Sequence, residues 1–284
     1  MYSDVQMYKK GYPPGHYYSP IVSTEEVALH AEHLFNPALP LPGIDLNTEE
    51  QIALLHQLKN NYFTVPYLKP DNKTFRYYFN NNTFEYADAI FLNLLIRHLK
   101  PKRIIEIGSG FSSAIMIDTN EIFFNHCIEL TFVEPYPERL QSLMKKGDEK
   151  FLTLVQHNLQ DVDILLFSQL EAGDILFVDS THVTKTGSDV NRILFEILPI
   201  LPKGVIIHFH DIFYPFEYPK EWVLGWSGFG WNEIYILRAF LTNNQEYKII
   251  LFNTYLEQLY EKWFQTNMPL CLKDKGGSLW LEKV

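Results

Sequence analysis

A carboxylate at the end of an apolar run, followed at once by a turn with two glycines, is the first place in this chain where chemistry could reside. Residues 103–113 read RIIEIGSGFSS. A β-type run reaches Glu106, the turn follows with Gly108, Ser109 and Gly110, and a helix opens behind it. The two glycines carry no Cβ, so the backbone can adopt angles closed to other residues and a ligand can lie directly on the turn. A pyrophosphate placed there would be opposed by Glu106, and position 113 is Ser where GxGxxG needs its third glycine. S-adenosylmethionine, which has an ammonium, a sulfonium and no phosphate, suits the carboxylate better. A second β-type run ends at Glu134, roughly 20 residues past the glycines, where a carboxylate can accept hydrogen bonds from both ribose hydroxyls. The plainer alternatives are a turn that uses its glycines only to turn, and a surface Glu ahead of Pro135.

Two later β-type runs end in acids and imidazoles. One finishes in Asp179, followed by Ser180, Thr181 and His182; the other finishes in His208, Phe209, His210 and Asp211. In an open doubly wound sheet, ligands bind beyond the carboxyl ends of the strands, near the point where strand order reverses. Asp179, His182, His210 and Asp211 should therefore share one crevice, with His182 able to act as a general base near neutral pH. Against this, Asp179 could cap the next turn and His208 could pack on the sheet. Within RYYFNNNTF (76–84), Tyr78 and Asn81 are candidate cofactor contacts, with a structural hairpin as the alternative. The aromatic segment 213–231 suits a lid over the reacting atoms, and equally a packed loop or a dimer surface.

These residues need a frame. From position 103 the chain alternates β-type and helical segments, the pattern of an α/β doubly wound, mostly parallel sheet with helices on both faces. Strands are expected near 103–107, 128–133, 151–155, 174–179, 204–209 and 247–253, with a last β-type run in GGSLWLEKV. Residues 1–85 read as an N-terminal extension and 86–284 as the main domain. In the extension, S-x-x-E at Ser23 and T-x-x-Q at Thr48 signal two helix starts, and 64–83 reads as short strands or loops. An amphipathic helix over 87–99 then delivers the chain to the sheet.

The formal charge of −10 and the absence of a basic stripe argue against a nucleic-acid substrate. Two cysteines form no metal or redox pair, which fits a reducing compartment. No run has signal-peptide character or the length to span a bilayer, so a cytoplasmic location without membrane partners is expected. Homo-oligomerisation stays open.

On EIGSGFSS, FVEPYPE (132–138), ILFVDSTHVTKTGSDV (175–190), HFHDIFYPFEYP (208–219) and WNEIYILRAFL (231–241), residues 75–284 resemble the class I S-adenosylmethionine-dependent methyltransferases, more narrowly the methyltransferase-24 type. The resemblance implies a seven-stranded Rossmann-like sheet with an antiparallel C-terminal edge hairpin, and methyl transfer to a small-molecule acceptor. A nicotinamide oxidoreductase and a non-catalytic cofactor-binding or scaffold protein are the rival readings. The resemblance to metal-dependent members such as catechol O-methyltransferase implies a divalent cation held by Asp179, His210 and Asp211. There an imidazole stands where that family has an oxygen ligand, which favours iron, manganese, zinc or nickel over magnesium.

Overall fold

Seven strands form one sheet in the order β3-β2-β1-β4-β5-β7-β6 in this computed structural model, which describes residues 11–68, 74–225 and 230–284. The strands are β1 (Arg103–Ile107), β2 (Glu129–Val133), β3 (Leu152–Val155), β4 (Ile175–Val178), β5 (Ile206–Phe209), β6 (Tyr247–Phe252) and β7 (Leu279–Lys283). From β3 across to β5 neighbouring strands run parallel; β7 runs antiparallel between β5 and β6. Every residue of β4 and β5 is buried, as a sheet covered on both faces requires.

Side chains alternate between two cores, because successive residues of a strand point to opposite faces. Ile104, Ile175, Phe177 and Ile206 join the core beneath the helices Tyr86–Leu99 and Phe111–Phe124, while Ile105, Leu176, Val178 and Ile207 join the one beneath Glu233–Leu241. The chain leaves β3 at one edge and re-enters the sheet as β4 on the far side of β1. Strand order reverses there, so the crevice lies over the ends of β1 and β4, where Ile107 pairs with Val178.

Some elements differ from expectation. Ser23 caps a helix, its hydroxyl accepting from the Glu26 N–H at 3.3 Å, but the segment divides into Thr24–Leu29 and Ala31–Leu34. Thr48 starts Thr48–Lys59 without capping it; the residue ahead, Asn47, is left-handed, and Gln51 turns inward to accept from the Phe252 N–H at 2.7 Å. The described part of 64–83 contains 3-10 turns and loops, with no strand. Nor does packing divide at residue 85, since Leu55, Leu58, Tyr67, Tyr77 and Phe84 share a core with Ile104 and Phe132. Arg76 pins this segment down, its buried guanidinium pairing with Asp118 at 2.7 Å, Glu121 at 2.6 Å and Asp148 at 2.5 Å.

The helix between β4 and β5 begins as Asp189–Arg192 and passes through a π turn, Ile193–Ile197, just before Pro199, which has no N–H to give. At the C-terminus the antiparallel pair lies at the sheet edge as expected, joined through the helices Asn253–Leu259 and Glu261–Asn267 and not by a tight reversal. The glycine pair ahead of β7 has another use. Gly277 donates its N–H to Asp88 at 3.1 Å, and a Cβ there would lie 2.8 Å from the Phe213 ring.

Candidate functional site

The turn after β1 needs its first glycine for a backbone reason. Gly108 sits at φ +82°, and a Cβ on it would overlap the Asp179 carbonyl oxygen. The ends of β1 and β4 touch at this point. Gly110 is different: its φ of −178° is ordinary extended backbone, and a Cβ would meet the Arg139 side chain at 3.1 Å. It starts the helix Phe111–Phe124 by donating its N–H to Ser113 Oγ at 2.9 Å, so Ser113 does structural work at the position of the missing third glycine.

Glu106 lies beneath the turn and not on its ligand side. It is fully buried, accepts from Ser112 Oγ at 2.6 Å and also from Ser113 Oγ. Burial pushes its carboxyl up to about 8, against the pull of the two serine hydroxyls. The expectation that Glu106 faces the cofactor's positive charges is therefore corrected: it fastens the helix to the strand. Glu134, at the end of β2, holds the turn from outside, accepting from the Ser109 N–H at 3.0 Å and the Tyr136 N–H at 2.8 Å. Gly108, Glu134, Tyr136, Asp179 and Ser180 line a cleft of about 350 Å³, and the buried Ser180 hydroxyl has no hydrogen-bond partner among the described residues. Tyr78 packs edge-on to Phe111 at 5.4 Å, near the turn. Asn81 is not available for a ligand: its amide nitrogen donates to the Tyr78 and Phe84 carbonyls, and its oxygen accepts from Thr83 and Phe84.

Asp179, His182, His210 and Asp211 do converge. His182 Nε2 lies 3.4 Å from Asp179 Oδ1 and 3.5 Å from Asp211 Oδ2, and His210 Nδ1 lies 3.3 and 3.6 Å from the same two atoms. Suitable ligand atoms of Asp179, His210 and Asp211 all fall within 4.8 Å of one another. His182 and Asp211 occupy left-handed backbone, at φ 58° and 56°, a costly conformation that persists only where surroundings impose it. For His182 the imposition is visible. Its carbonyl accepts from the N–H groups of Asn232 and Glu233, and its ring lies 4.3 Å from that of Trp231.

Two carboxylates behind the cluster escaped the sequence reading. Glu233 Oε2 lies 2.8 Å from His182 Nδ1, and Asp88 Oδ2 lies 3.2 Å from His210 Nε2. The one signal was Asp88 itself, a lone acid in the otherwise apolar start of a buried helix. With both ring nitrogens facing carboxylates, His182 is not placed as a free base toward an acceptor. Burial opposes charge on His182, yet Asp179 and Glu233 prevail and raise it to about 10; His210 is likewise raised, by Asp211 and Asp179. Burial also works against the Asp179 carboxylate, but the imidazoles hold it well below the usual carboxylate range. In Asp211 burial wins, and its proton affinity is raised. His208 packs in the sheet, stacked on Phe177 at 3.8 Å and bonded to Ser278 Oγ at 2.9 Å.

On the far side of the cluster a second cleft, of about 320 Å³, is lined by His210, Asp211, Glu85, Asp274, Phe213 and Trp222 among others. Phe213 and Trp222 meet edge to face at 5.2 Å, and Trp222 and Trp231 at 6.0 Å. The described part of the aromatic segment thus walls the crevice; residues 226–229 of the expected lid lie outside the described residues.

A family model described as a methyltransferase domain matches residues 105–212. An uncharacterized protein of Archaeoglobus fulgidus is 40% identical over 169 residues, 57% of this chain and 75% of that protein. Among solved structures, an S-adenosylhomocysteine-bound methyltransferase of Podospora anserina is 16% identical, with 87% of this chain and 98% of that one covered at a TM-score of 0.44. A putative O-methyltransferase of Klebsiella pneumoniae is 16% identical, with 91% and 96% covered at a TM-score of 0.41. No helix among the described residues is long and apolar enough to cross a membrane.

Proposed function

The chain belongs to the class I S-adenosylmethionine-dependent methyltransferases, of the methyltransferase-24 type, and on that premise we propose that it methylates a small-molecule acceptor bound beside Asp211. One observation carries the reading: a single cluster separates two clefts. Asp179 lines the cleft over the glycine turn, while His210 and Asp211 line the aromatic one beyond, and Asp179 and His210 are 3.3 Å apart. Cofactor in the first and acceptor in the second would meet across these side chains.

Methyl transfer is a displacement at the carbon bound to the sulfonium, so the acceptor atom must lie in line with that carbon and must lose its proton. Asp211 directs Oδ2 toward both imidazoles, which leaves Oδ1 to receive the proton. Its raised proton affinity suits that role, while Asp179 stays charged beside the cofactor; carboxylates pushed in opposite directions by their surroundings divide such work. Phe213 and Trp222 form the apolar wall that keeps water from the methyl group. Glu85, Asp88, Asp211 and Asp274 line the acceptor cleft without a lysine or arginine, which favours a neutral or cationic acceptor over a phosphorylated one. A divalent cation on Asp179, His210 and Asp211, whose ligand atoms are close enough to share one, would lower the pKa of an acceptor hydroxyl that reached it.

Calorimetric titration with S-adenosylmethionine and S-adenosylhomocysteine tests the first step. Binding is expected, and it should weaken at least roughly tenfold in Glu134→Gln, which removes the charge from the ribose contact. Absence of binding to folded protein would end the proposal. Screening acceptors with methyl-labelled cofactor, neutral and cationic against anionic, tests the second step.

A further inference from the structure

We propose that the acceptor is a flat, apolar molecule of two or more rings, its reactive end beside Asp211 and its body in an aromatic groove that the N-terminal segment helps to build, where Phe35 and Pro37 limit its size. That the occupant is a methyl acceptor rests on the methyltransferase reading; binding in the groove does not.

The cleft beside Asp211 does not stand alone. Phe213, Trp222, Asp274 and Gly276 line it, and the same residues line an adjoining groove of about 590 Å³. Small-molecule sites run to roughly 300–1,000 Å³, so the cleft, at about 320 Å³, lies at the bottom of that range and the groove carries the site well into it. Trp222 is half-buried. Phe213 lies against the backbone of Gly277, where a Cβ would stand 2.8 Å from its ring. The two aromatic rings meet edge to face at 5.2 Å. Cleft and groove thus meet at a packed aromatic corner, on which a flat ring can stack without first ordering a mobile side chain.

The far wall of the groove comes from a distant part of the chain. Phe35 and Pro37 line it together with Tyr214, Pro215 and Pro219. Phe35, like Val27, packs in part against the core beneath Glu233–Leu241, and the helix Thr24–Leu29 lies against Lys220–Gly225, the helix that carries Trp222. The N-terminal segment is therefore anchored where it meets the groove. Aromatic rings and prolines offer apolar area at little cost in side-chain entropy, which suits a rigid, flat occupant. Charge narrows the choice further. Glu217 and Asp274 line the groove along with Lys220 and Lys275, so it has no net sign, whereas the cleft holds acids without a lysine or arginine. The body of the acceptor is accordingly uncharged, whatever its reactive end carries. Because the groove adjoins the cleft at the reacting centre, one small molecule that spans both accounts for it without a second protein.

Calorimetry on the full-length protein, with and without S-adenosylhomocysteine, should compare phenol with 4-phenylphenol, a neutral probe one ring longer, and with 4'-hydroxybiphenyl-4-carboxylate. The longer phenol is expected to bind at least roughly tenfold more tightly than phenol, from the apolar area its second ring buries, and the carboxylate more weakly than its neutral parent. Phe35→Ala should remove most of that advantage while phenol affinity stays within about twofold, since phenol does not reach the groove. Pro37→Asp, at an exposed position, should do the same without disturbing the core. Unchanged circular dichroism and S-adenosylhomocysteine affinity are expected in both variants. Equal affinity for the one-ring and two-ring phenols, or an advantage that survives both substitutions, would overturn the inference. So would a concentration-dependent dimer, seen by sedimentation and abolished by Pro37→Asp, because a second copy would then fill the groove. Protein that binds S-adenosylhomocysteine but does not prefer the longer probe would refute this inference and leave the methyltransferase reading standing. Protein that prefers the longer probe, with the advantage lost in Phe35→Ala, but binds neither cofactor form would do the reverse.

Discussion

Replacing Glu106 with Gln should change how stability depends on pH more than it changes stability itself. The carboxyl is fully buried beneath the glycine turn, and burial pushes it up to about 8 from an ordinary 4.5. Between those values the folded chain holds a proton that the unfolded chain has released. The unfolded state binds fewer protons there, so stability falls as pH rises, fully present below 4.5 and gone above 8. For one group with these two values, the loss between pH 6 and pH 8 comes to about 2 kcal/mol. A glutamine amide resembles the protonated acid, keeps an acceptor for Ser112 and carries no titration. Urea unfolding of the cofactor-free protein at pH 6, 7, 8 and 9 should therefore show wild type falling toward the variant, or below it, while Glu106→Gln changes less by about 2 kcal/mol over that interval. Parallel profiles for the two proteins would show that Glu106 is ionised in the folded state at neutral pH, and that burial does not control its protonation.

Gly108→Ala should cost at least about 2 kcal/mol, because it adds strain at φ +82° and drives a methyl group into the Asp179 carbonyl; a denaturation midpoint and cofactor affinity equal to wild type would contradict the close contact of β1 and β4. Arg76→Met should cost roughly 3–5 kcal/mol by leaving Asp118 and Asp148 buried without their cation. Adding Asp118→Asn and Asp148→Asn to that variant should recover part of the loss in the same unfolding assay, and no recovery would mean that packing, not charge, was removed.

The sheet was legible because its signal is local. Apolar runs of four to six residues, each ending in a glycine turn or an acid, declare parallel strands wherever both faces are covered, and β1, β2, β4 and β5 fall within a residue or two of where the pattern puts them. The segment 64–83 was harder to read, since its aromatic and Asn content fits strands and loops alike. What decides is Arg76, whose three acidic partners lie 42, 45 and 72 positions away. The C-terminal antiparallel pair needed its intervening helices to be seen, because a glycine pair marks a close approach as readily as a hairpin.

The candidate site divides along the same line. Strand ends made Asp179, His182, His210 and Asp211 predictable as a group, since register alone carries Val178 beside Phe209 and thus brings the following residues to one crevice. Their chemistry was not predictable, because it depends on what stands behind each ring. Glu233 meets His182 across 51 positions, and Asp88 meets His210 across 122. An imidazole with one carboxylate neighbour and an open nitrogen can act as a base; with a carboxylate behind it and two more ahead, the same ring becomes a fixed donor or a metal ligand. Asp88 also accepts from Gly277, Ser278 and Asn253, so the helix ahead of β1, the start of β7 and the end of β6 meet at one carboxylate directly behind His210. The region before residue 103, which reads in sequence as a lead-in to the domain, therefore supplies part of the cluster's electrostatic support.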